Sequence, residues 1–168
     1  MADTVRSIPS MCDGLKPGQR KIMFACFKRK LTSTSEVKVA QLAGYVGEHT
    51  EYHHGEESLK GTIIGLAQDF VGSNNLNLLL PVGQFGTRNM GGKDHASARY
   101  IFTSLNKLTR ILFHPDDDRL LRYKIEDGHK VEPTYYVPIL PTVLINGSDG
   151  IGTGWSSTTP RFSPRELA

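Results

Sequence analysis

Cysteine and long apolar runs are what this sequence has least of. Only Cys12 and Cys26 occur in 168 residues, and they have no CxxC spacing. A disulfide framework is therefore not expected, and free thiols in a reducing, intracellular compartment are. No apolar run approaches the ~18 residues of a membrane-crossing helix, so no membrane partner is expected. The opening MADTVRSIPS lacks the charged-then-apolar layout of a secretion signal. A strong charge bias is missing too, since 20 basic and 17 acidic residues leave only +3. Such a surplus does not by itself identify a nucleic-acid partner.

Several catalytic signatures are also missing. GTRNMGGK (residues 86–93) looks like a phosphate loop, but its Gly-Lys pair is one residue out of register and Asp94 stands where a magnesium-binding Ser/Thr would be. The glycines at 147, 150, 152 and 154 do not make GxGxxG, which removes the dinucleotide fingerprint. His49 and His53 are spaced i, i+4, yet the order HxExH in a turn-like segment is not the helical HExxH of a zinc site. Asp116, Asp117 and Asp118 follow Pro115 in an expected surface loop, where three carboxylates are more often solvated than metal-binding.

What is present is a clustered charge and a helical period. Between Arg6 and Lys30 lie seven basic residues against one acid, Asp13. This is a candidate phosphate-binding face or an ordinary solvated one. Pro17 marks a helix start, with Met23, Phe24, Phe27 and Leu31 at helical spacing. Ser35 is placed as the N-cap of a second helix carrying Val39, Leu42, Ala43 and Val46. A third apolar stripe runs through Leu59, Ile63, Leu66, Ala67 and Phe70, with acids in its first turn.

Two such helices across a short polar turn predict a helix-turn-helix, and the Gly/Asn-rich alternation of residues 72–103 predicts a small sheet with a long loop or wing. Tyr100 is expected to open a strand, with Arg99 as a solvated neighbour. Residues 105–113 read as a short helix, and Asp127-Gly128 as a hairpin turn. From Pro138 the texture becomes Pro/Gly-rich, which predicts a second structural unit. The fold class is thus α+β, a winged-helix domain over residues 1–137 followed by a second unit over 138–168.

The stretches SIPSMCDGLKPGQRK, EYHHGEESL, LAQDFVGSNNLNLL, GQFGTRNMGGKDHASARYIFT and LINGSDGIGTGW occur in an order that resembles the breakage-reunion region of eukaryotic type II DNA topoisomerases. The resemblance spans residues 6–168, and the bacterial gyrase and topoisomerase IV counterparts resemble the chain more distantly. It implies that residues 138–168 begin the family's "tower" domain. It also implies that Tyr100 is the nucleophile that attacks a DNA phosphodiester and becomes joined to the 5′ end. A free phenol, with a pKa of about 10, is a poor nucleophile at neutral pH, so a neighbouring cation must favour the charge that develops, and Arg99 takes that role.

By the same resemblance His54 is the better placed of two histidines for transition-state contact. Arg20, Lys21, His53 and Lys93 contact DNA, and Ile151 wedges between base pairs and bends the duplex. Cys12, residues 30–35, Glu57 and His95 depart from the family pattern, and Glu57 makes the groove near the cut more acidic. No metal ligand is assigned to this chain. Magnesium and ATP are expected in the full-length enzyme, through domains with EGDS and DxD signatures and an ATPase that are not in this sequence. The partners implied are double-stranded DNA and a second copy of the full-length enzyme, in the nucleus. The chain reads as a fragment, with Met1 to Thr4 as an added start, and is expected to bind DNA weakly and not to relax supercoils alone. Without the family, the competing reading is a non-catalytic winged-helix regulator.

Overall fold

In the computed structural model, which describes residues 2–167, three helices form the floor of an α+β arrangement. After α1 (Ala2–Ser7), helix α2 (Pro17–Lys28) begins with Pro17 at its first position. There the missing N–H is no loss, and the backbone N–H of Lys16 donates to Gln19 Oε1 at 2.8 Å. Its inward face is Ile22, Met23, Ala25 and Cys26, all buried, while Phe24 and Phe27 are half-buried. The expected stripe holds at Met23 and Leu31, both in the core, and at Phe27, which packs on the core residues Phe113 and Tyr136 under Arg110. Phe24 lies outside it against Tyr123, while Ile22, Ala25 and Cys26 widen the buried face.

Helix α3 (Val39–Thr50) buries Val39, Leu42, Ala43 and Val46 completely, as their spacing predicts. Helix α4 (Glu56–Ala67) buries Leu59, Ile63, Leu66 and Ala67, but it stops before Phe70. Ser35 is not the N-cap of α3. That position belongs to Lys38, and Ser35 instead accepts from the Thr32 N–H at 2.9 Å, closing the preceding turn.

Strand β1 (Val37–Lys38) leads directly into α3. It pairs antiparallel with β3 (Phe102–Leu105), which also pairs with β2 (Leu79–Val82), so the sheet order is β1-β3-β2. Pro81 is tolerated because β2 is an edge strand. Leu105 belongs to β3, so the short helix expected over 105–113 shrinks to α5 (Thr109–Leu112). The hairpin β4 (Tyr123–Glu126) and β5 (His129–Pro133) turns at Asp127 and Gly128, both at positive φ (48° and 79°), as Asp-Gly predicts.

The chain continues as α6 (Thr142–Asn146), the hairpin β6 (Ser148–Gly152) and β7 (Trp155–Thr159), and α7 (Pro164–Leu167). Helix α6 is tied back to the earlier part of the chain. Thr142 Oγ1 donates to the Asp13 carbonyl at 2.7 Å, and Asn146 exchanges hydrogen bonds with the Leu76 backbone at 2.8 Å in both directions. The sequence boundary expected at 137–138 is thus crossed by direct contacts. Met1, at the expected added start, and Ala168, the last residue of the expected second unit, lie outside the described residues. No helix among the described residues is long and apolar enough to cross a membrane.

The two thiols behave differently in this arrangement. Cys26 is fully buried, and that burial pushes its pKa up to about 12, whereas Cys12 is exposed. A thiol-reactive dye at neutral pH should label one cysteine quickly and the second only on unfolding. Equal rates would contradict the packing of α2.

Candidate active site and nucleic-acid interface

The long connection between β2 and β3 carries the Arg-Tyr pair, and local bonding makes it a shaped loop. Gly86 and Gly92 have φ of +93° and +77°, and a Cβ on Gly86 would lie 2.5 Å from the Gly92 carbonyl. Only glycine fits that approach. The Thr87 N–H and hydroxyl both donate to the Asp94 carboxylate, at 2.8 and 2.9 Å. These bonds, the backbone one foremost, hold the Asp94 carboxyl below its ordinary range. Beneath, the Gln68 amide donates to the Phe85 carbonyl at 2.9 Å. Asp94, which cannot hold magnesium as a phosphate loop would, is a brace for the wing. Lys93 is exposed on this loop.

Past the brace, Ala98 and Ile101 are buried, and their carbonyls accept from the Ala40 and Val39 N–H groups at 3.1 and 3.0 Å. Between these two anchors the chain turns outward, with the Tyr100 N–H donating to Ser97 O at 2.9 Å. Tyr100 therefore does not open a strand, because the ladder begins at Phe102. Its ring is 72 % exposed. Among the described residues neither its hydroxyl nor the exposed Arg99 guanidinium has a hydrogen-bond or ion-pair partner. A tyrosine committed to packing would bury that ring, and this one presents it with a free cation next door.

The histidines sit on the turn between α3 and α4. Glu51 ends α3 in the left-handed conformation (φ 49°) and Gly55 enters α4 at φ 87°. His53 and His54 between them are exposed, His54 edge-on to Tyr52 at 5.4 Å between centroids. Both face a groove of about 600 Å³ whose walls also carry Arg6, Lys16 and Lys21.

Two basic residues differ from expectation. Arg20 is only 3 % exposed, and its Nε and one terminal nitrogen donate to the two Asp13 oxygens at 2.7 and 2.8 Å. The Asp13 carboxylate also accepts from the Leu15 and Tyr136 N–H groups at 3.0 and 2.8 Å. The Arg20 guanidinium is thus part of a buried ionic joint and offers no surface to DNA, contrary to the phosphate contact expected of it. Lys21 lies in the groove wall but is itself mostly buried. Its ammonium donates to the Thr50 carbonyl and to Glu126 (3.1 Å), and approaches Glu132 Oε2 at 2.9 Å as an ionic contact without hydrogen-bond alignment. Two carboxylates offset its charge, so it anchors the end of α3 from which the histidine turn departs.

Ile151 is 83 % exposed on β6, and Trp155 on β7 is 73 % exposed, so the tip of that hairpin is apolar and open to solvent. The structure brings His53, His54 and Lys21 to one groove. Arg99 lines a neighbouring hollow of about 480 Å³. Glu57 and Gly61 of α4 line both. Lys93 and Ile151 line neither.

Sequence reasoning missed the roles of Asp13 and Asp94. The signal for Asp13 was its isolation as the one acid among seven basic residues. Among the described residues no group of three or more His, Cys, Asp or Glu side chains could hold a metal ion. Asp118 is instead paired with Arg110 at 2.7 Å.

Known proteins with similar sequences and structures point the same way. The family model that describes the A-subunit of DNA gyrase/topoisomerase IV matches residues 6–168. DNA topoisomerase 2 of Arabidopsis thaliana is 66 % identical over 167 residues, 99 % of this chain and 11 % of that protein. DNA topoisomerase 2 of Saccharomyces cerevisiae is 64 % identical over 99 % of this chain and 12 % of its own length. The chain thus spans about a ninth of the length of these curated relatives. Among solved structures, the crystal structure of the Plasmodium falciparum topoisomerase II DNA-binding, cleavage and re-ligation domain superposes with a TM-score of 0.96 at 57 % identity, over 99 % of this chain and 22 % of that one.

Proposed function

The chain belongs to the DNA gyrase/topoisomerase IV A-subunit family, and from that premise we propose that it is the nucleophile-bearing part of a type II DNA topoisomerase. The observation that carries the reading is the outward display of Arg99 and Tyr100, unpartnered among the described residues, between the buried anchors Ala98 and Ile101.

In this reading the Tyr100 oxygen attacks a backbone phosphorus, forming a Tyr–O–P bond to the 5′ side as the P–O3′ bond breaks. The phenol gives up its proton and the departing 3′ oxygen gains one. One phosphodiester replaces another, so the 3′ hydroxyl can reverse the step without fuel. Arg99 stabilises the charge on the non-bridging oxygens in the transition state, a contact worth more there than in the ground state. His54 is the second donor at that phosphate, while His53 and Lys93 hold the flanking backbone. Lys21 acts at one remove, by fixing the turn that carries the histidines.

Magnesium and ATP belong, on this proposal, to other parts of a longer, homodimeric nuclear enzyme. The described residues offer no ligand set for the metal, and no step above passes through either group. Alone, the chain is then a weak DNA binder without relaxation activity. The test is to join it to an acidic, metal-binding domain, incubate with duplex DNA and magnesium, and trap with detergent. A covalent protein–DNA adduct supports the reading, and its consistent absence favours a non-catalytic winged-helix regulator.

Ile151 is proposed as the wedge, since an apolar side chain 83 % exposed at a hairpin tip gains nothing from solvent. Inserting it costs a few kcal/mol of base stacking, offset by contacts along the bent duplex. Ile151→Ala should reduce bending, read by energy transfer across a labelled duplex, while stability changes by less than about 0.5 kcal/mol. Undiminished bending removes Ile151 from the wedge role.

A further inference from the structure

The hollow beside Arg99 contains a second cation that the cleavage chemistry leaves unused. Lys60 projects from α4 into this space of about 480 Å³, together with Ser97, His95 and Arg99. Its ammonium is held by two carboxylates of its own helix, Glu56 at 3.1 Å and Glu57 at 2.7 Å. Both partners are largely in water, 57 % and 89 % exposed, and Glu57 also lines the hollow. The Lys60 side chain itself is 20 % exposed, but carboxylates so open to water are screened by solvent and can be exchanged for another anion.

Arg99 has no carboxylate partner among the described residues, so the hollow combines one free cation, one loosely held cation and a serine hydroxyl. This is a donor set for a tetrahedral oxyanion. The rim is formed by the loop that carries Tyr100, so an anion here lies next to any strand that Tyr100 meets.

We propose that Lys60 is a further DNA-backbone ligand, binding a phosphate in the hollow it shares with Arg99, and that Glu57 competes with that phosphate for the ammonium. The proposal rests on the DNA-cutting reading above and adds to it a gated contact on α4. When the backbone enters, Lys60 leaves Glu57 for the phosphate; Glu57 then sets how much affinity is withheld. Ordered displacement of counterions gives the contact a measurable salt signature.

The experiment titrates the 168-residue chain with a fluorescein-labelled duplex over a range of salt concentrations. It compares wild type, Lys60→Met, Glu57→Gln, the double variant, and Glu48→Gln on α3 outside the hollow as a measure of charge removal alone. Lys60→Met should lower the salt slope by about one. Glu57→Gln should tighten binding about threefold or more, and with Lys60→Met present its gain should shrink to that of Glu48→Gln. An unchanged slope in Lys60→Met, or an equal gain from Glu57→Gln with and without Lys60, overturns the proposal while duplex binding itself persists. If wild type fails to bind duplex even at low salt, the DNA reading falls and this inference with it. Circular dichroism of each variant confirms that the helix is intact.

Discussion

Tyr100→Phe, tested in a protein that includes the metal-binding domain, should bind duplex DNA as tightly as wild type and form no covalent adduct with it. The substitution removes a single oxygen from a side chain whose hydroxyl has no partner among the described residues, so neither the loop nor the fold loses a contact. The ring is 72 % exposed, which leaves stability within about 0.5 kcal/mol of wild type. The chemical loss is complete because the phenylalanine ring has no oxygen to bond to phosphorus, and Tyr100 is the residue this reading makes the nucleophile.

Arg99→Ala should leave the nucleophile present but slow cleavage by about 10² to 10³, the usual cost of deleting a charge stabiliser aimed at a developing oxyanion. Arg99→Lys should restore only part of it, because a point charge cannot hold two phosphate oxygens as a planar guanidinium does. An adduct that persists in Tyr100→Phe would place the chemistry on another residue.

Asp13→Ala should destabilise the fold by about 3–5 kcal/mol, the cost of stripping one partner from a buried ion pair. Asp13 is 0 % exposed and Arg20 is 3 % exposed, so the guanidinium left behind cannot reach water without moving α2. The Leu15 and Tyr136 N–H groups lose their acceptor at the same time. Against a typical domain stability of about 5–15 kcal/mol, that loss shifts the urea midpoint far to the left. The double variant Asp13→Ala/Arg20→Met should be less destabilised than the sum of its parts, since it leaves no uncompensated charge. A urea midpoint unmoved by Asp13→Ala would return Arg20 to the surface and restore it as a candidate phosphate contact.

Some of this was legible before any coordinates. The stripe Val39, Leu42, Ala43, Val46 is fully buried, and Asp127-Gly128 makes its hairpin, because both signals depend only on near neighbours in the chain. Other expectations failed at the points where a distant partner intervenes. Ser35 has the chemistry of an N-cap but serves a different turn, since β1 pairs with β3 and so delays the start of α3. Arg20 and Lys21 read as a basic face, yet Glu126 and Glu132 reach Lys21 from β4 and β5, and the turn before α2 brings Asp13, seven residues upstream, onto Arg20. Tyr100 has strand-forming chemistry, but Ala98 and Ile101 are gripped by α3 and force the residues between them outward.

Residue order alone settled the α3 stripe, the Asp127-Gly128 turn and the resemblance carried by the Arg-Tyr and His-His pairs. These are local, because periodicity and backbone preference act over a few residues. Only the tertiary structure decided which cations face water and which are joined to acids, and that the wing is braced by Asp94 and Gln68. A charged side chain has nearly the same helix propensity whether or not a carboxylate waits for it across the fold, so the residues around Lys21 carry no trace of Glu126 and Glu132.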